Sequence, residues 1–209
     1  MPQTEKIKYC LTFEKKGVAA YTSHLDVVRV FSRAFARSKL PIYYTEGFTR
    51  RPYLVFPYPL PLGVIGENEV LEFALLDEIR DVNDFMDKIN AVLPNGLRVL
   101  CVTSDELPAV SFAVYEITCF TNNNTSEYER FFKQETIKAE KFSKKKGKIA
   151  IDLKPVIKEN NVLSDGTITI TLPVGENNNV NVNVFINALA DFLGLKPEIF
   201  CAKRIKYLP

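Results

Sequence analysis

A four-residue stretch near the start of the chain holds side chains that could do acid–base chemistry. Ser23, His24 and Asp26 are the residue types of a hydrolytic triad. Triad members must hydrogen-bond in series, but adjacent helical residues point about 100° apart, so this spacing excludes a triad. The same residues predict a helix start, in which Ser23 caps the first turn and Asp26 completes a capping box.

His24 is the only histidine of the chain, and two roles stay open for it. The helical period places it near the side of Phe31 and Phe35, which favours a partly buried imidazole with a satisfied hydrogen bond. Imidazole also titrates near neutral pH, so His24 could act as a general acid or base or contact a ligand. Only a position in a cleft would favour the second role.

Two arginines, Arg50 and Arg51, stand in the irregular segment TEGFTRRP at 45–52. Guanidinium groups bind phosphate or carboxylate through paired hydrogen bonds. Three aromatic side chains that could stack on bases flank them: Tyr44, Phe48 and Tyr53. The alternative is a structural loop whose tyrosines pack on a sheet.

Other basic residues strengthen the positive character of the first half. Residues 1–63 carry ten Lys and Arg against four Asp and Glu, whereas residues 64–107 carry three against ten. A basic surface of this kind suits phosphates or an acidic protein. Two further basic sets are a helix row (Arg29, Arg33, Arg37) and a hairpin cluster (Lys141, Lys144, Lys145, Lys146, Lys148). Solvated surfaces explain both, although the lysines could also contact phosphate without sequence preference.

Several kinds of site are excluded by absent motifs. The sequence has no phosphate-binding P-loop, dinucleotide-binding glycine turn, paired-histidine metal motif or RNA-recognition-motif signature. The four cysteines lie far apart, which favours buried thiols. We therefore expect no metal and no cofactor. Charged residues interrupt any early apolar run, so we expect a cytoplasmic protein without a membrane segment.

The elements that must position these residues follow one order twice. In the first half, hydrophobic periodicity predicts a strand, a helix stopped by Pro41, two strands, a helix and a strand, at 6–13, 24–39, 42–44, 70–76, 82–93 and 97–102. After a linker at 104–109, the second half predicts a strand, a helix capped by Ser126, three strands, a helix and a strand, at 111–120, 127–134, 137–142, 148–153, 167–172, 182–193 and 200–207.

This pattern predicts an α+β fold class with two tandem ferredoxin-like (βαββαβ) domains, each an antiparallel sheet with both helices on one face. The domains are expected at residues 1–107 and 108–209. The extra strand of the second half gives that domain an extended middle hairpin.

Several short motifs stand in order along the first half: Lys16-Gly17, Ser23-His24-Leu25-Asp26, Arg33-Ala34, Leu40-Pro41, Gly47-Phe48, Pro52 and Pro59-Leu60-Pro61-Leu62-Gly63. They resemble the motifs of the radical SAM-linked family, a bacterial domain of unknown function found beside or fused to radical S-adenosylmethionine proteins. The resemblance covers about residues 6–100 and implies that the protein is a partner or substrate-handling module of such an enzyme. Where the family commonly has histidine in its Gly-Phe-Asn-Pro-His-Pro loop, this chain has Arg51, which weakens any two-histidine site.

Three functions follow from these observations. The leading hypothesis is a non-catalytic accessory module for a radical S-adenosylmethionine enzyme, which binds RNA or another phosphate-bearing substrate. Its basic site would be lined by His24, Tyr44, Phe48, Arg50 and Arg51. The second is a metal-independent endoribonuclease of the repeat-associated RNA-processing type, with His24 as catalytic acid or base and an arginine stabilising the phosphorane. The third is a purely protein-binding adaptor.

Overall fold

The chain divides into two compact units, Met1–Ala109 and Val110–Pro209, called here the N-terminal and C-terminal units. The computed structural model describes residues 6–121, 124–143, 147–175 and 179–209. Both units are mixed α+β, with antiparallel strand pairs and two α-helices each in the described residues. The division falls two residues after the boundary expected at 107, inside the predicted linker.

The N-terminal unit has a sheet in the order β4-β1-β3-β2, antiparallel throughout. In the long β1–β3 pair, Ile7 lies opposite Leu75 and Lys15 lies opposite Gly66. The elements in chain order are β1 (Ile7–Lys15), a 3-10 helix (Gly17–Tyr21), α1 (His24–Arg37), β2 (Leu54–Val55), β3 (Val64–Leu75), α2 (Val82–Asn90) and β4 (Leu97–Thr103).

One face of this sheet carries the hydrophobic core. Strand alternation points Leu11 of β1 and Phe73 of β3 to the same side. Phe35 of α1 and Phe85 of α2 have ring centroids 5.1 and 5.3 Å from that of Phe73. Both helices therefore share a single core with the sheet. Each buried ring contributes about 1.5–3 kcal/mol, which fixes the helices on this face.

Helix α1 begins where the sequence predicts, but the Asp26 carboxylate does not make the hydrogen bond of a capping box. The Ser23 hydroxyl accepts a 3.2 Å hydrogen bond from the Asp26 N–H and donates one of 2.7 Å to the Asp26 carboxylate. A capping box would have placed that carboxylate on the Ser23 N–H. The helix ends at Arg37, before Pro41 could stop it, because Lys39 takes a left-handed φ of 58°.

Three predictions for the strands of this unit are wrong. Ile42 and Tyr44 make only isolated bridges, and the strand that pairs with this part of β3 is Leu54–Val55. Strand β3 starts at Val64 rather than 70, because its beginning pairs with the end of β1. The first strand, predicted at 6–13, extends to Lys15, whose side chain is buried.

The C-terminal unit has a sheet in the order β10-β5-β9-β8, and β6 and β7 pair only with each other among the described residues. Position by position, the order of this sheet corresponds to that of the N-terminal unit. The elements are β5 (Phe112–Cys119), α3 (Thr125–Phe132), β6 (Lys138–Ser143), β7 (Gly147–Asp152), β8 (Glu159–Val162), β9 (Ile168–Pro173), α4 (Val182–Leu193), a 3-10 helix (Pro197–Ile199) and β10 (Phe200–Leu208).

Two details of this unit differ from the sequence prediction. Helix α3 is capped by Asn124, whose side-chain oxygen accepts from the Glu127 N–H at 3.4 Å, and not by Ser126. Strand β8 was not predicted, because its sequence ENNV is mostly polar. Helix α4 has its predicted bounds and ends at Gly194 with φ 65°. Residues 144–146 of the hairpin tip predicted at 144–148 lie outside the described residues.

Candidate functional site

The segment that carries the predicted arginines is a hairpin inserted into the edge strand of the N-terminal unit. Before it, the Tyr43 N–H donates a 2.9 Å hydrogen bond to the Ala74 carbonyl of β3. After it, the Tyr53 N–H donates to the Tyr43 carbonyl at 3.0 Å, and Leu54 pairs with Phe73. The chain thus leaves the sheet and returns to it at neighbouring positions. We call residues 44–52 the edge hairpin.

Local hydrogen bonds close the base of the edge hairpin. The Thr45 N–H donates to the Arg51 carbonyl at 2.8 Å, and the Thr45 hydroxyl oxygen accepts from the Arg51 N–H at 3.4 Å. Tyr44 and Pro52 form an isolated bridge one position nearer the sheet. Pro52 also restricts the backbone of Arg51 to extended conformations. These constraints hold the tip residues 46–50 out in solvent.

The side chains at the tip are unusually exposed for their types. Phe48 has a relative exposure of 109%, so its ring packs against nothing, and Tyr44 is 40% exposed. Arg50 and Arg51 are exposed, and neither guanidinium makes a hydrogen bond or ion pair within the described part of the chain. An uncovered aromatic ring beside unpaired cations is a common composition of ligand-binding surfaces.

A tyrosine–lysine cluster lies at the foot of the edge hairpin. The Lys6 ammonium is 4.4 Å from the ring centroid of Tyr53 and 5.5 Å from that of Tyr43, which are cation–π distances. Lys8 reaches Oε1 of Glu72 at 3.1 Å, and this hydrogen-bonded carboxylate raises the pKa of the Lys8 ammonium. Burial, followed by the bond to Glu72, raises the pKa of the Tyr53 phenol. The positive charge of Lys8 is therefore balanced by the Glu72 carboxylate, whereas the Lys6 ammonium has no described carboxylate partner.

His24 lies beside a different feature, a cavity of about 10 Å³ in the N-terminal unit. Its ring packs edge-on against Phe56 with centroids 5.5 Å apart, at the first turn of α1. Burial, followed by the charge of Lys15, lowers the pKa of the His24 imidazole, which favours its neutral form. The cavity has room for about one water molecule.

Two buried charged residues border the same cavity, and the sequence analysis missed both. Lys15 is 1% exposed and Glu69 is 3% exposed. The Lys15 ammonium donates a 3.1 Å hydrogen bond to the Thr22 carbonyl. The Glu69 carboxyl lies over Gly66, where an added Cβ would meet it at 2.5 Å. Lys15 follows the strand alternation of buried Phe13, which was a signal available in the sequence, whereas Glu69 shares that face because it pairs opposite Phe13.

The five predicted site residues thus occupy two places rather than one pocket. The residues that line the cavity beside His24 are Phe13, Lys15, Val27, Phe56, Tyr58, Pro59, Leu60, Glu69 and Val70, with none from the edge hairpin. Along β3, the foot of the hairpin at Ala74 and the cavity at Glu69 are separated by about 16 Å. Tyr44, Phe48, Arg50 and Arg51 share the edge hairpin without His24. Their role in ligand binding stays a prediction.

The other basic sets are partly neutralised. Arg29 pairs with Asp26 at 2.9 Å, while Arg33 and Arg37 are exposed on α1. In the C-terminal unit, the Lys148 ammonium pairs with Glu140 at 2.7 Å, and Lys141 donates to the Asn179 carbonyl. Among the described residues, each of these two sets thus contains at least one cation that is already paired, unlike Arg50 and Arg51 of the edge hairpin.

Features that would indicate other kinds of site are limited. Among the residues that the structure describes, no group of three or more His, Cys, Asp or Glu side chains is arranged to hold a metal ion. Cys10 and Cys119 are buried, but Cys101 is exposed, so the expectation of buried thiols is wrong there. No helix in the described residues has the length and apolar character needed to cross a membrane.

A comparison with protein families gives a match over most of the chain. A family model described as "Uncharacterized protein conserved in bacteria (DUF2344)" matches residues 8–184. No curated protein matches the chain. The family match begins in β1 and extends into α4, so it covers most of the chain.

Proposed function

The chain belongs to the DUF2344 family of uncharacterized bacterial proteins, and we propose that it is a non-catalytic accessory module which recognises a substrate for a radical S-adenosylmethionine enzyme. The substrate is RNA or another phosphate-bearing molecule, and the edge hairpin binds it. The motif resemblance of the first half supports this choice of partner. The matching strand orders of the two units support the finer fold description, two tandem ferredoxin-like domains.

The observation that carries the proposal is the composition of the hairpin tip. Phe48 is fully exposed next to Arg50 and Arg51, whose guanidinium groups have no described partner. Guanidinium groups bind phosphate oxygens through paired hydrogen bonds, and an exposed ring offers a stacking surface. A hairpin that served only to connect strands would gain nothing from exposing this ring to water.

The surroundings of His24 favour a structural role for its imidazole over an acid–base role in catalysis. Its cavity of about 10 Å³ would not admit a nucleotide, and the edge-hairpin arginines do not line it. The endoribonuclease alternative needs an acid–base group and an arginine at one phosphate. We therefore assign the arginines to binding and His24 to a structural role beside Phe56.

The test is RNA binding by an Arg50→Ala, Arg51→Ala double variant, measured as affinity against salt concentration. The slope of log K against log salt is negative, and each phosphate contact on a single strand makes it steeper by about 0.7, so the variant's slope should be less steep by about 1.4. Affinity should fall about thirtyfold, at about 1 kcal/mol for each of the two lost charged contacts. The control is Arg33→Ala, Arg37→Ala, which removes the same charge from an exposed helix of the same unit.

Two outcomes would contradict parts of this proposal. Unchanged affinity of the Arg50/Arg51 variant for every RNA tested would remove the RNA-binding role. A radical S-adenosylmethionine enzyme that binds the protein equally well after nuclease treatment and in the Arg50/Arg51 variant would favour the protein-binding adaptor instead.

A further inference from the structure

Resting on the proposed function, we propose that the ligand of the edge hairpin is single-stranded RNA, with unpaired bases stacked on Phe48 and Tyr44 and phosphates held by Lys6, Arg50 and Arg51. Lys6 joins the binding residues because its ammonium lies at the foot of the edge hairpin, over the Tyr53 and Tyr43 rings.

The aromatic side chains favour a single strand. The Phe48 ring at the hairpin tip is fully exposed, and Tyr44 near its base is 40% exposed. In a duplex, neighbouring base pairs cover the faces of the bases, so a protein ring cannot stack on them. Unpaired bases offer those faces, and each stacked base contributes about 1–3 kcal/mol. The Phe48 and Tyr44 rings could therefore stack on the unpaired bases of an RNA strand without secondary structure.

The cations of the edge hairpin and its foot could bind the phosphates of a short length of RNA backbone. Arg50, Arg51 and Lys6 have no described carboxylate partner, whereas the neighbouring Lys8 is paired with Glu72 at 3.1 Å. The Lys6 ammonium lies over the Tyr53 and Tyr43 rings, which bracket the edge hairpin. A cation–π contact orients the ammonium without cancelling its charge. Three cations therefore stand around one hairpin, with Glu46 the single carboxylate within residues 44–52.

The edge hairpin offers few groups that could read base identity. Of its two threonines, Thr45 and Thr49, the first already uses its hydroxyl oxygen to accept the Arg51 N–H at 3.4 Å. Rings stack on all four bases, and cations contact the backbone that all sequences share. The site should therefore bind single strands with little sequence preference, and strand state should decide affinity more than sequence.

The experiment compares one labelled RNA of about ten nucleotides, free and annealed to its complement, by fluorescence anisotropy with the full chain. We expect the free strand to bind at least tenfold tighter than the duplex. Phe48→Ala should weaken single-strand binding about tenfold. Phe120→Ala, which removes a ring 74% exposed in the C-terminal unit, should leave it unchanged.

The role of Lys6 is tested in the same assay. Lys6→Gln should make the negative slope of log K against log salt less steep by about 0.7. Arg37→Gln, on the outer face of α1, should leave the slope unchanged. Duplex binding as tight as single-strand binding, or full affinity in Phe48→Ala, would overturn this inference and leave the RNA-binding function standing. Failure of the wild-type protein to bind either form would instead overturn the RNA-binding role in the proposed function.

Discussion

The Tyr53 hydroxyl donates a 2.7 Å hydrogen bond to Oε1 of Glu72, which joins the strand that returns from the edge hairpin to the neighbouring strand β3. Glu72 is 8% exposed and also receives the Lys8 ammonium at 3.1 Å. A buried carboxylate needs such donors, because an unpaired charge away from water is costly. This contact ties the foot of the edge hairpin to the sheet.

Tyr53→Phe should lower the free energy of unfolding by about 1.5 kcal/mol, because it removes a donor from a buried carboxylate while keeping the ring. Chemical denaturation measures this change. Tyr21→Phe is the control, since Tyr21 is 76% exposed and its hydroxyl has no described partner. Equal stabilities of the two variants would show that Glu72 does not depend on the phenol.

Gly96→Ala should lower the free energy of unfolding by about 3 kcal/mol or more, since backbone strain and a steric clash combine there. Gly96 has φ 90°, and an added Cβ would meet the Lys16 carbonyl oxygen at 2.4 Å. Gly63→Ala is the matched control, with φ 81° and no atom within 4 Å, so it carries the strain alone. We expect thermal unfolding to separate the two variants, and similar transition temperatures would contradict the packing at Gly96.

The single histidine should make stability depend on pH in a defined direction. Burial and the charge of Lys15 lower the pKa of His24 below its ordinary 6.5, so the unfolded chain binds this proton at higher pH than the folded chain. The contribution of His24 is therefore complete above pH 6.5 and is lost as the pH falls from there towards the folded-state pKa.

NMR titration of the lone imidazole measures this pKa directly. The difference in unfolding free energy between wild type and His24→Gln should change across the same pH window and be constant above it. Glu69 and Tyr58 also border the cavity. If the Glu69 carboxylate governed the imidazole, the pKa would rise above 6.5, and the prediction would be wrong.

Phe48→Ala should leave the free energy of unfolding within about 0.5 kcal/mol of wild type, as expected for an exposed side chain without partners. Phe31→Ala, at a core ring with 0% exposure, should cost about 3–5 kcal/mol. Denaturant melts of both variants give the comparison. A large loss of stability in Phe48→Ala would mean that the ring packs in solution and is not held free for a ligand.

Regular amphipathic elements were predictable from the sequence because the residues that their hydrophobic periodicity assigns to the core are the ones that the fold buries. Helix α4 has its expected bounds, since its apolar residues keep the helical period up to Gly194. Strand β8 could not be predicted, because the sheet and not its own ENNV sequence stabilises it. The edge hairpin was expected only as an irregular segment, since the pairing of Tyr43 with Tyr53 depends on their common neighbour β3.

The residues beside His24 show a different limit of sequence analysis. Lys15 and Glu69 are charged yet almost fully buried, and hydrophobic periodicity assigns such residues to the surface. The sequence indicated Arg50, Arg51 and Phe48 as candidates, because glycine, aromatics and arginines cluster there. It could not show that His24 lies in a separate cavity, which depends on strand register.

The route of the backbone through the edge strand lets the sequence of the edge hairpin change while the sheet stays the same. Because Tyr43 and Tyr53 are already hydrogen-bonded to each other, the nine residues between them can be shortened, lengthened or exchanged without moving the sheet. Related chains could thus acquire different specificities by rewriting one insert. The same junction is a natural place to graft a foreign peptide or a spectroscopic probe.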